Sequence, residues 1–510
     1  MKLKHLILAA AAILTATAAT AQINEITRAV LGAYDETLRQ DPNDYVTLYR
    51  RGVEYCRLGR YQAAMEDVDK ALKLTPSKEP NMLMHLYSLK ADIYIGLDDL
   101  DKALEYTDKA LIIDPKSFAE TYKKGNILLE QKKSDEAFST FQSLLRLQSR
   151  SQEAMYGMAR ASVQRGALDD ANRYINDMKE AAPSSATTYC RIGDVLCEMG
   201  NNEKGVINYI TGFSMADGSM RPINSLRRVA DTDYPAFKSG FEYAESQSRE
   251  SAPTLKYIRG VISSQTGHYD DAYEALTSLQ ATEPTAGLLS HLASVCLHLN
   301  KLAEARSYAD RAITMAAGGD IPVEALLVKS AAEIASGSPA SALLSASKAY
   351  NSSNPDPEVL MTQAKAAIAA GESKQALDAL NELVLNDAEA VDALLLRSYV
   401  KKYMLNDDKG AKADLQRAAK SSVTTFPQVG CKALAETLSG KTLDGQSTLE
   451  KALARDSSPS ALVSAAVYYA QTGNRAKADE FLKRATDAGY EDIFFMETDH
   501  TPYLSLSAKK

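Results

Sequence analysis

Prolines and small residues recur in this 510-residue chain at an interval of 34 positions. Pro42 and Pro76 are one such pair, and Pro115, Ser149 and Pro183 follow one another at the same interval. A fixed period of this length is typical of chains that stack one small structural unit many times. Because a single unit cannot bury its own apolar face, neighbouring units must supply the core. The period therefore limits the possible folds more strongly than the composition does.

The first complete repeat starts at Tyr45. When Tyr45 is counted as position 1, small residues occupy positions 8, 15, 20 and 27, and a proline occupies position 32: Gly52, Gly59, Ala64, Ala71 and Pro76. Small residues at positions 8 and 20 let two helices approach closely. A glycine at position 15 ends the first helix in the left-handed conformation, and the proline stops the second helix. The pattern predicts a pair of antiparallel helices.

The run Leu48 to Tyr55, followed by Gly59 to Ala64, resembles the tetratricopeptide repeat (TPR). Further units are readable from these residues: Met84, Phe118, Gln152, Ala186, Pro253, Ala286, Val323, Pro357, Val391, Phe426 and Pro459. The resemblance implies an all-α fold, a right-handed superhelical solenoid of about thirteen TPR helix pairs. One pair near the middle is degenerate. It also implies that the chain binds other proteins.

Residues 1–21 have the features of a bacterial secretory signal peptide. Lys2 and Lys4 precede the apolar run 6–14, and small residues directly before Gln22 suit cleavage there. The apolar run is too short to span a bilayer, and no later segment reaches the ~18 uncharged apolar residues that a membrane helix needs. We predict an exported protein without a transmembrane segment, resembling Bacteroides-like members of the family. The expected location is the periplasm, with secretion or surface association as alternatives.

These features divide the chain into six segments. We predict a signal peptide, an N-terminal capping helix, an N-terminal TPR array, a degenerate repeat or hinge, a C-terminal TPR array and a C-terminal closing segment, at 1–21, 22–44, 45–219, 220–252, 253–492 and 493–510 respectively. Two prolines and several aromatic residues interrupt the pattern in the degenerate segment. Both a diverged helix pair and a bend between two halves of the solenoid fit this interruption.

The charge balance argues against nucleic acid as a partner. The net charge is −8, and it becomes −10 when the two lysines of residues 1–21 are removed. An acidic chain without a basic block is a poor match for nucleic acid or an anionic membrane. The five cysteines are Cys56, Cys190, Cys197, Cys296 and Cys431. They fall on apolar helix positions, so we expect buried small side chains rather than disulfide bonds or a metal site.

Motifs that carry catalysis lack their required context. Gly440-Lys441-Thr442 resembles the end of a phosphate-binding loop, but alanine stands where that motif needs its first glycine, and no strand is expected before it. We interpret Gly440 as the turn glycine between two helices.

His291 and His298 lie two turns apart on one predicted helix, without the closer spacing and third ligand of most zinc sites. The cluster at Asn406 to Asp408 lacks the spacing of a calcium loop. The sequence predicts a protein that is not an enzyme and that holds no cofactor or metal. An active site at residues 220–252 is a remote alternative, because the acidic residues there have no paired base.

In TPR arrays the first helix of each unit lines a concave groove. Reading its exposed positions in the first five units gives Tyr49, Arg50, Arg57, His85, Asp92, Tyr122, Lys123, Asn126, Tyr156, Arg160, Arg191 and Asp194. Aromatic residues and arginine often anchor interfaces. These side chains either pack against neighbouring helices or form a mildly basic groove for an acidic extended peptide or helix.

Two further observations bear on this groove. The corresponding positions of later units are smaller and less polar, as Thr254, Tyr257, Met361, Val463 and Val467. A subset of the family grips a terminal carboxylate with lysine and asparagine, but Tyr49 and Val53 occupy those positions here. The resemblance therefore does not extend to that clamp.

The favoured function is a protein–protein interaction scaffold or adaptor in the cell envelope. Its partners would be other proteins, with components of envelope assembly or secretion as the expected class. The alternative is a periplasmic capture protein for a small peptide or glycan.

Overall fold

The structure is a computed structural model that describes residues 29–215, 221–247, 249–280, 284–316, 321–352, 356–387, 389–422, 426–453 and 459–487. The predicted signal peptide and the closing segment at 493–510 lie outside these residues. Contacts divide the chain into two compact units, residues 1–262 (unit 1) and residues 263–510 (unit 2). All regular elements within the described residues are helices, and no strand occurs among them.

Unit 1 begins with helix α1 (29–40) and continues as antiparallel pairs. We call the first helix of a pair the A helix and the second the B helix. The pairs are α2 (Tyr45–Arg57) with α3 (Tyr61–Leu74), α4 (Pro80–Gly96) with α5 (Leu100–Ile113), α6 (Phe118–Glu130) with α7 (Ser134–Leu147), α8 (Gln152–Gln164) with α9 (Leu168–Ala181), α10 (Ala186–Glu198) with α11 (Asn202–Met215), and α12 (Arg221–Thr232) with α13 (Tyr234–Gln247). Helix α14 (Ala252–Gln265) begins in this unit.

Unit 2 repeats the arrangement. After the B helix α15 (Tyr269–Gln280), its pairs are α16 (Ala286–His298) with α17 (Leu302–Met315), α18 (Val323–Ala335) with α19 (Pro339–Ser352), α20 (Pro357–Ala370) with α21 (Ser373–Asn386), α22 (Val391–Tyr399) with α23 (Asp408–Ala418), α24 (Phe426–Leu438) with α25 (Thr442–Leu453), and α26 (Pro459–Gln471) with α27 (Arg475–Asp487). Within each unit, the B helix of every pair named above packs on its own A helix, and several neighbouring A helices also pack on one another.

The turn between the helices of a pair uses a left-handed residue, as the glycine pattern predicts. Gly59 has φ +70° and Gly440 has φ +91°. At the first of these turns, the Arg60 N–H donates to the Tyr55 carbonyl over 2.8 Å and closes the end of α2. Glycine suits this conformation because it has no Cβ atom. Gly440 is therefore a turn glycine, and its interpretation is confirmed.

One turn contains an additional residue. Counted from Val391, the left-handed residue is Asn406, with φ 54°, one position later than in the other pairs. The chain absorbs the addition as a π-helical segment, Val400–Met404, where the Leu405 N–H donates to the Val400 carbonyl over 3.1 Å. A π turn holds one more residue than an α turn. The turn at Asn406 is therefore one residue longer than the others, and α23 still pairs with α22.

Small residues and large aromatic rings fit together across the helix pairs. The ring of Phe141 in α7 is fully buried and lies against Gly125 of α6 and Gly157 of α8. A Cβ atom on Gly125 would come within 2.4 Å of that ring. The glycine at position 8 therefore makes room for an aromatic ring from the B helix.

Buried ion pairs also join the helices. The Arg51 guanidinium donates to both carboxylate oxygens of Asp67 over 2.6 and 2.8 Å and to Asp35 of α1 over 2.7 Å. In unit 2, Arg397 binds both oxygens of Asp414 at 2.9 and 2.6 Å. Removing one partner of such a pair would leave a charge in a site with little water, so these contacts favour one register of the helices.

The degenerate segment contains helices α12 and α13. Ile223, Leu226, Phe237 and Phe241 are buried there and pack in one apolar cluster. The segment thus forms a helix pair despite its irregular pattern. The domain boundaries drawn from the sequence stay predictions.

The cysteines lie on helices. Cys190, Cys296 and Cys431 are buried, whereas Cys56 and Cys197 are half-buried. None of the five forms a disulfide bond within the described residues.

The predicted fold class, an all-α solenoid of stacked TPR helix pairs, is confirmed.

Candidate functional site

The residues predicted to line a groove lie on successive A helices of unit 1. We call the row α2, α4, α6, α8, α10 and α12 the A-helix face of unit 1. All twelve groove residues named from the sequence lie on this face, and nine of them are the candidate partner-binding residues: Tyr49, Arg50, Arg57, Tyr122, Lys123, Asn126, Tyr156, Arg160 and Arg191. Most of them contact a neighbouring A helix, which the sequence pattern did not show.

Lys123 joins α6 to α4. Its Nζ lies 2.7 Å from Asp92 Oδ1 and donates to Ser88 Oγ over 2.7 Å. Ser88 in turn donates to Glu120 Oε1 over 2.6 Å. Lys123 is only 17% exposed. Its charge is therefore largely compensated by carboxylates of the same unit.

A second polar group joins α8 to α10. Arg160 Nε lies 2.6 Å from Glu198 Oε1, and Arg191 lies 2.7 Å from Glu153. Tyr156 lies beneath both arginines, with their guanidinium carbons 5.7 and 5.8 Å from the centre of its ring. Attraction of this kind between a cation and an aromatic face is stabilising where water is excluded.

Asp194 is the centre of this polar group. It accepts hydrogen bonds from Tyr156 Oη at 3.2 Å and Tyr209 Oη at 2.8 Å, and it lies 3.1 Å from Arg221 and 3.3 Å from Arg228 of α12. Burial, and then the Asp194 charge, raises the pKa of both tyrosines. Both phenols are therefore neutral donors at ordinary pH.

The remaining predicted residues differ in their surroundings. Tyr122 packs edge-on against Phe141, and Tyr49 lies 6.1 Å from His85 of the next A helix. Arg57 pairs with Glu54 of its own helix at 2.7 Å, and its side chain is 61% exposed. Arg50 is exposed. These side chains present aromatic edges and two exposed arginines, Arg50 and Arg57, at the surface.

The A-helix face of unit 1 is thus a row of compensated charges and half-buried rings. A partner that uses these arginines must share them with Glu153 and Glu198, which already bind them. The face can accept hydrogen bonds and ring contacts along several repeats, but it is not a bare basic groove.

A cleft of about 570 Å³ lies in unit 2. Its lining comes from α16, α18 and α20, from the end of α21 and from the start of α22, and it includes these residues: Ser294, Leu297, His298, Leu327, Val328, Pro357, Glu358, Met361, Thr362, Lys365, Leu383, Asn386, Asp387, Ala390 and Asp392. A volume of roughly 300–1,000 Å³ with apolar lining and a few polar groups is usual for binding sites.

This cleft was not predicted as a site from the sequence. Met361 was placed at a groove position, but the later units were described as smaller and less polar. A signal was present, because Glu358, Met361, Thr362 and Lys365 occupy positions 2, 5, 6 and 9 of the repeat that starts at Pro357. These are the positions that the TPR pattern assigns to a groove.

The two histidines on α16 have different surroundings. His291 is buried, and its Nδ1 lies 3.3 Å from Glu324 of α18. His298 stacks on Tyr269 with ring centres 4.3 Å apart. The sequence did not indicate an acidic residue beside either ring, because Glu324 comes from the following repeat. Within the described residues no group of three or more His, Cys, Asp or Glu side chains is arranged to hold a metal ion.

The part of the chain that the structure describes contains no helix of sufficient length and apolar character to cross a membrane.

Four segments of the chain match the tetratricopeptide repeat family. They are residues 46–78, 85–117, 128–188 and 264–320. The first two matches coincide with α2–α3 and α4–α5, so sequence and structure agree on where a repeat lies. The chain therefore carries tetratricopeptide repeats, as the sequence pattern predicts.

Two relatives share similar sequences over part of their length. The Hsp70-Hsp90 organizing protein of Triticum aestivum is 22% identical over 250 residues, which cover 43% of this chain and 43% of the relative. A TPR repeat-containing protein of Methanocaldococcus jannaschii is 22% identical over 293 residues, which cover 54% of this chain and 46% of the relative. This chain thus spans less than half the length of the relatives it matches.

Solved structures of helical repeat proteins are also similar. Yeast Tom70 covers 91% of this chain, and 95% of Tom70 is covered, at 15% identity and a TM-score of 0.39. YrrB, described as a TPR protein with an unusual peptide-binding site, covers 38% of this chain, and 97% of YrrB is covered, at 18% identity and a TM-score of 0.27.

Proposed function

We propose that this chain is a protein–protein interaction scaffold that holds an extended segment or a helix of a partner protein against its A helices. The observation that carries the proposal is the A-helix face of unit 1. There Tyr122, Tyr156, Arg160 and Arg191 lie on the successive A helices α6, α8 and α10, and both guanidinium groups lie over the Tyr156 ring. Rigid side chains of these types anchor interfaces at a low entropic cost.

The test is affinity capture with light crosslinking, using tagged residues 22–510 and the double variant Tyr122→Ala/Arg160→Ala. The scaffold should capture a discrete protein, and the double variant should lose it. Arg173→Ala is a matched control, because Arg173 is an arginine on the B helix α9 that lies over Tyr174 of its own helix and is 58% exposed. Capture of the same protein by all three would contradict the placement on the A-helix face. Capture of nothing above background would contradict the scaffold itself.

We also propose that the scaffold works in the cell envelope, with partners among components of envelope assembly or secretion. The support is the signal-peptide pattern of residues 1–21. Fractionation of the source cells tests this location. The mature protein should be found in the periplasmic fraction and should begin at Gln22 by N-terminal sequencing. Retention of residues 1–21 in the cytoplasmic fraction would refute it.

A second candidate is a capture protein for a small peptide or glycan. The specific observation in its favour is the cleft in unit 2, whose volume of about 570 Å³ suits a small ligand. Thermal shift assays with short peptides and short glycans separate the two functions. A ligand present at ~100 times its Kd stabilises a folded protein by ~2.7 kcal/mol. A shift with a glycan alone would favour capture over the scaffold.

A further inference from the structure

Three acidic residues recur in unit 2 at the repeat interval. Glu324, Glu358 and Asp392 are each 34 positions apart, and each is the second residue of its A helix, in α18, α20 and α22. Because equivalent positions of stacked repeats follow one another along the stack, their carboxyl groups lie on one edge of the A helices. Glu358 and Asp392 line the cleft.

The three carboxyl groups differ in the charges around them. Glu324 lies 3.3 Å from His291. Glu358 lines the cleft, and the negative charges of Asp356 and Glu324 act on it there. Burial is the main cause of the raised pKa of Glu358, and those two negative charges add to it. A carboxylate surrounded in this way is stabilised by a positive charge brought from outside.

The other titratable groups of the cleft do not outweigh the negative charge of its carboxyl groups. Lys365 is buried and attracts Asp392, yet burial still raises the pKa of Asp392, and Asp387 adds to the effect. Burial lowers the pKa of His298, so this ring is neutral at ordinary pH. Among the described residues that line the cleft, there are therefore three carboxyl groups, those of Glu358, Asp387 and Asp392, and one lysine. The charge is opposite in sign to the mildly basic groove predicted for unit 1.

Apolar side chains form the rest of the surface. Leu297, Leu327, Met361 and Leu383 come from four different helices and line the same cleft. Methionine and leucine adapt to apolar groups of different shapes. The lining therefore suits an apolar segment that also carries a positive charge, and it disfavours an acidic one.

We propose that the cleft of unit 2 binds a segment of a partner protein in which a lysine or arginine stands between apolar residues. The basic side chain lies against Glu358 and Asp392, and the apolar neighbours pack on Met361 and Leu327. This inference rests on the proposed scaffold function and assigns the class of segment that the second unit accepts.

Fluorescence anisotropy with labelled seven-residue peptides tests the proposal on residues 22–510. The probes are Ser-Gly-Leu-Lys-Met-Gly-Ser, with the label on the N-terminus and an amide at the C-terminus, and two versions in which norleucine or glutamate replaces the lysine. Removing a charge-assisted hydrogen bond from a site with little water lowers the affinity by about tenfold or more. The lysine peptide should therefore bind about tenfold more tightly than either of the others.

Variants of the cleft identify the carboxyl groups that cause the preference for the lysine peptide. Glu358→Gln/Asp392→Asn should abolish the preference for lysine, and Glu358→Lys should shift it toward the glutamate peptide. Glu274→Gln is the control, since Glu274 is an exposed acid on the B helix α15 and its replacement should change nothing. Circular dichroism melts confirm that each variant is folded.

Equal affinity for the three peptides, binding of none of them, or a lysine preference that survives in the double variant would each overturn the inference. The proposed scaffold function is judged separately by the capture experiment. A partner that no longer binds Tyr122→Ala/Arg160→Ala would leave the scaffold standing even if the peptide assay failed.

Discussion

The ring of Phe141 lies between glycines of two successive A helices, and a Cβ atom at either Gly125 or Gly157 would come within 2.4 Å of that ring. Gly125 is at position 8 of its repeat, where the sequence pattern predicts a small residue. Alanine at position 8 serves in other repeats, as Ala91 and Ala159 show. The choice of glycine over alanine follows from the size of the neighbouring ring.

We expect Gly125→Ala to destabilise the protein by about 1–3 kcal/mol, because the added methyl group would force the Phe141 ring to move. Gly52→Ala is the matched control at the same repeat position. A Cβ atom there would lie 3.4 Å or more from Val68, Leu89 and Ala64. Since alanine favours a helix over glycine by up to ~1 kcal/mol, this control should be neutral or stabilising. Urea unfolding followed by circular dichroism measures both, and equal destabilisation would contradict the explanation.

His291 and His298 differ in their response to pH, although they lie on one helix. Burial acts to lower the pKa of His291, but attraction to Glu324 outweighs it, so the pKa is raised above 6.5. The pKa of Glu324 is lowered by the same interaction, which outweighs its own burial. Burial alone lowers the pKa of His298 below 6.5. The two rings therefore contribute to stability with opposite signs.

We expect His291→Gln to cost more stability at pH 5.5 than at pH 8.5. The stabilisation from a raised pKa is complete below the unfolded value and is lost as the pH rises through the folded value. The change should stay within about 1 kcal/mol, because Glu324 is partly exposed and water screens the pair. The control His298→Gln should cost less at pH 5.5 than at pH 8.5. Urea unfolding midpoints measured at both pH values test this prediction. The same pH dependence in both variants would contradict the opposite contributions assigned to the two histidines.

At the scale of the helix, the repeat pattern was sufficient to place the elements. The starts predicted at Phe118, Gln152 and Ala186 are the first residues of α6, α8 and α10. The turn after each A helix was also predictable wherever a glycine marks it. Where Lys132 takes the left-handed conformation instead, no local signal marks the turn. Asp98 and Asn300 give only a weak signal, because aspartate and asparagine adopt this conformation more often than other residues but are also common elsewhere.

We expect Lys132→Gly to stabilise the protein by up to about 1 kcal/mol. Lys132 has φ 61°, a conformation that costs a residue with a Cβ atom roughly 1–2 kcal/mol. Glycine avoids that cost but loses more backbone entropy on folding, by ~0.4–1 kcal/mol. Lys133→Gly is the control. Lys133 is the next residue and is not in the left-handed conformation, so glycine there should be destabilising. Urea unfolding midpoints of the two variants test this prediction. An equal change in stability in both variants would refute it.

The candidate site was less predictable than the helices. Position in the repeat placed Lys123, Arg160 and Arg191 on A helices, but it did not show that Asp92, Glu198 and Glu153 neutralise them. Those partners are 31–38 residues away, and the pairing depends on side-chain reach and on the exact stacking of helices. The cleft of unit 2 was missed for a related reason, since its volume arises from several helices whose separation no single repeat encodes.

At the scale of the whole molecule, stability is expected to be local. Each repeat contacts mainly its neighbours, so the stability of such an array is approximately a sum of repeat and interface terms. We therefore expect the whole chain to unfold in more than one step. A defect should affect the adjoining helices and should leave distant repeats unchanged.

We expect Gly125→Ala to raise amide hydrogen exchange in α6, α7 and α8 and to leave α20 and α21 unchanged. The physical reason is that the Phe141 ring packs between glycines of α6 and α8, and coupling decays along an array. Hydrogen exchange with mass spectrometry measures this by segment. A uniform increase across both units would show that the array unfolds as one cooperative body.

The polar pairs between successive A helices have a consequence for how such a chain can change over time. Arg191 fits beside a repeat that carries Glu153, and Lys123 fits beside one that carries Asp92. Exchanging the repeat that carries Glu153 or Asp92 for one without an acid at that position would leave Arg191 or Lys123 without its partner. The ion pairs between repeats therefore favour the present order of the repeats. A repeat can be added only where it supplies the complementary charged side chain to its neighbour.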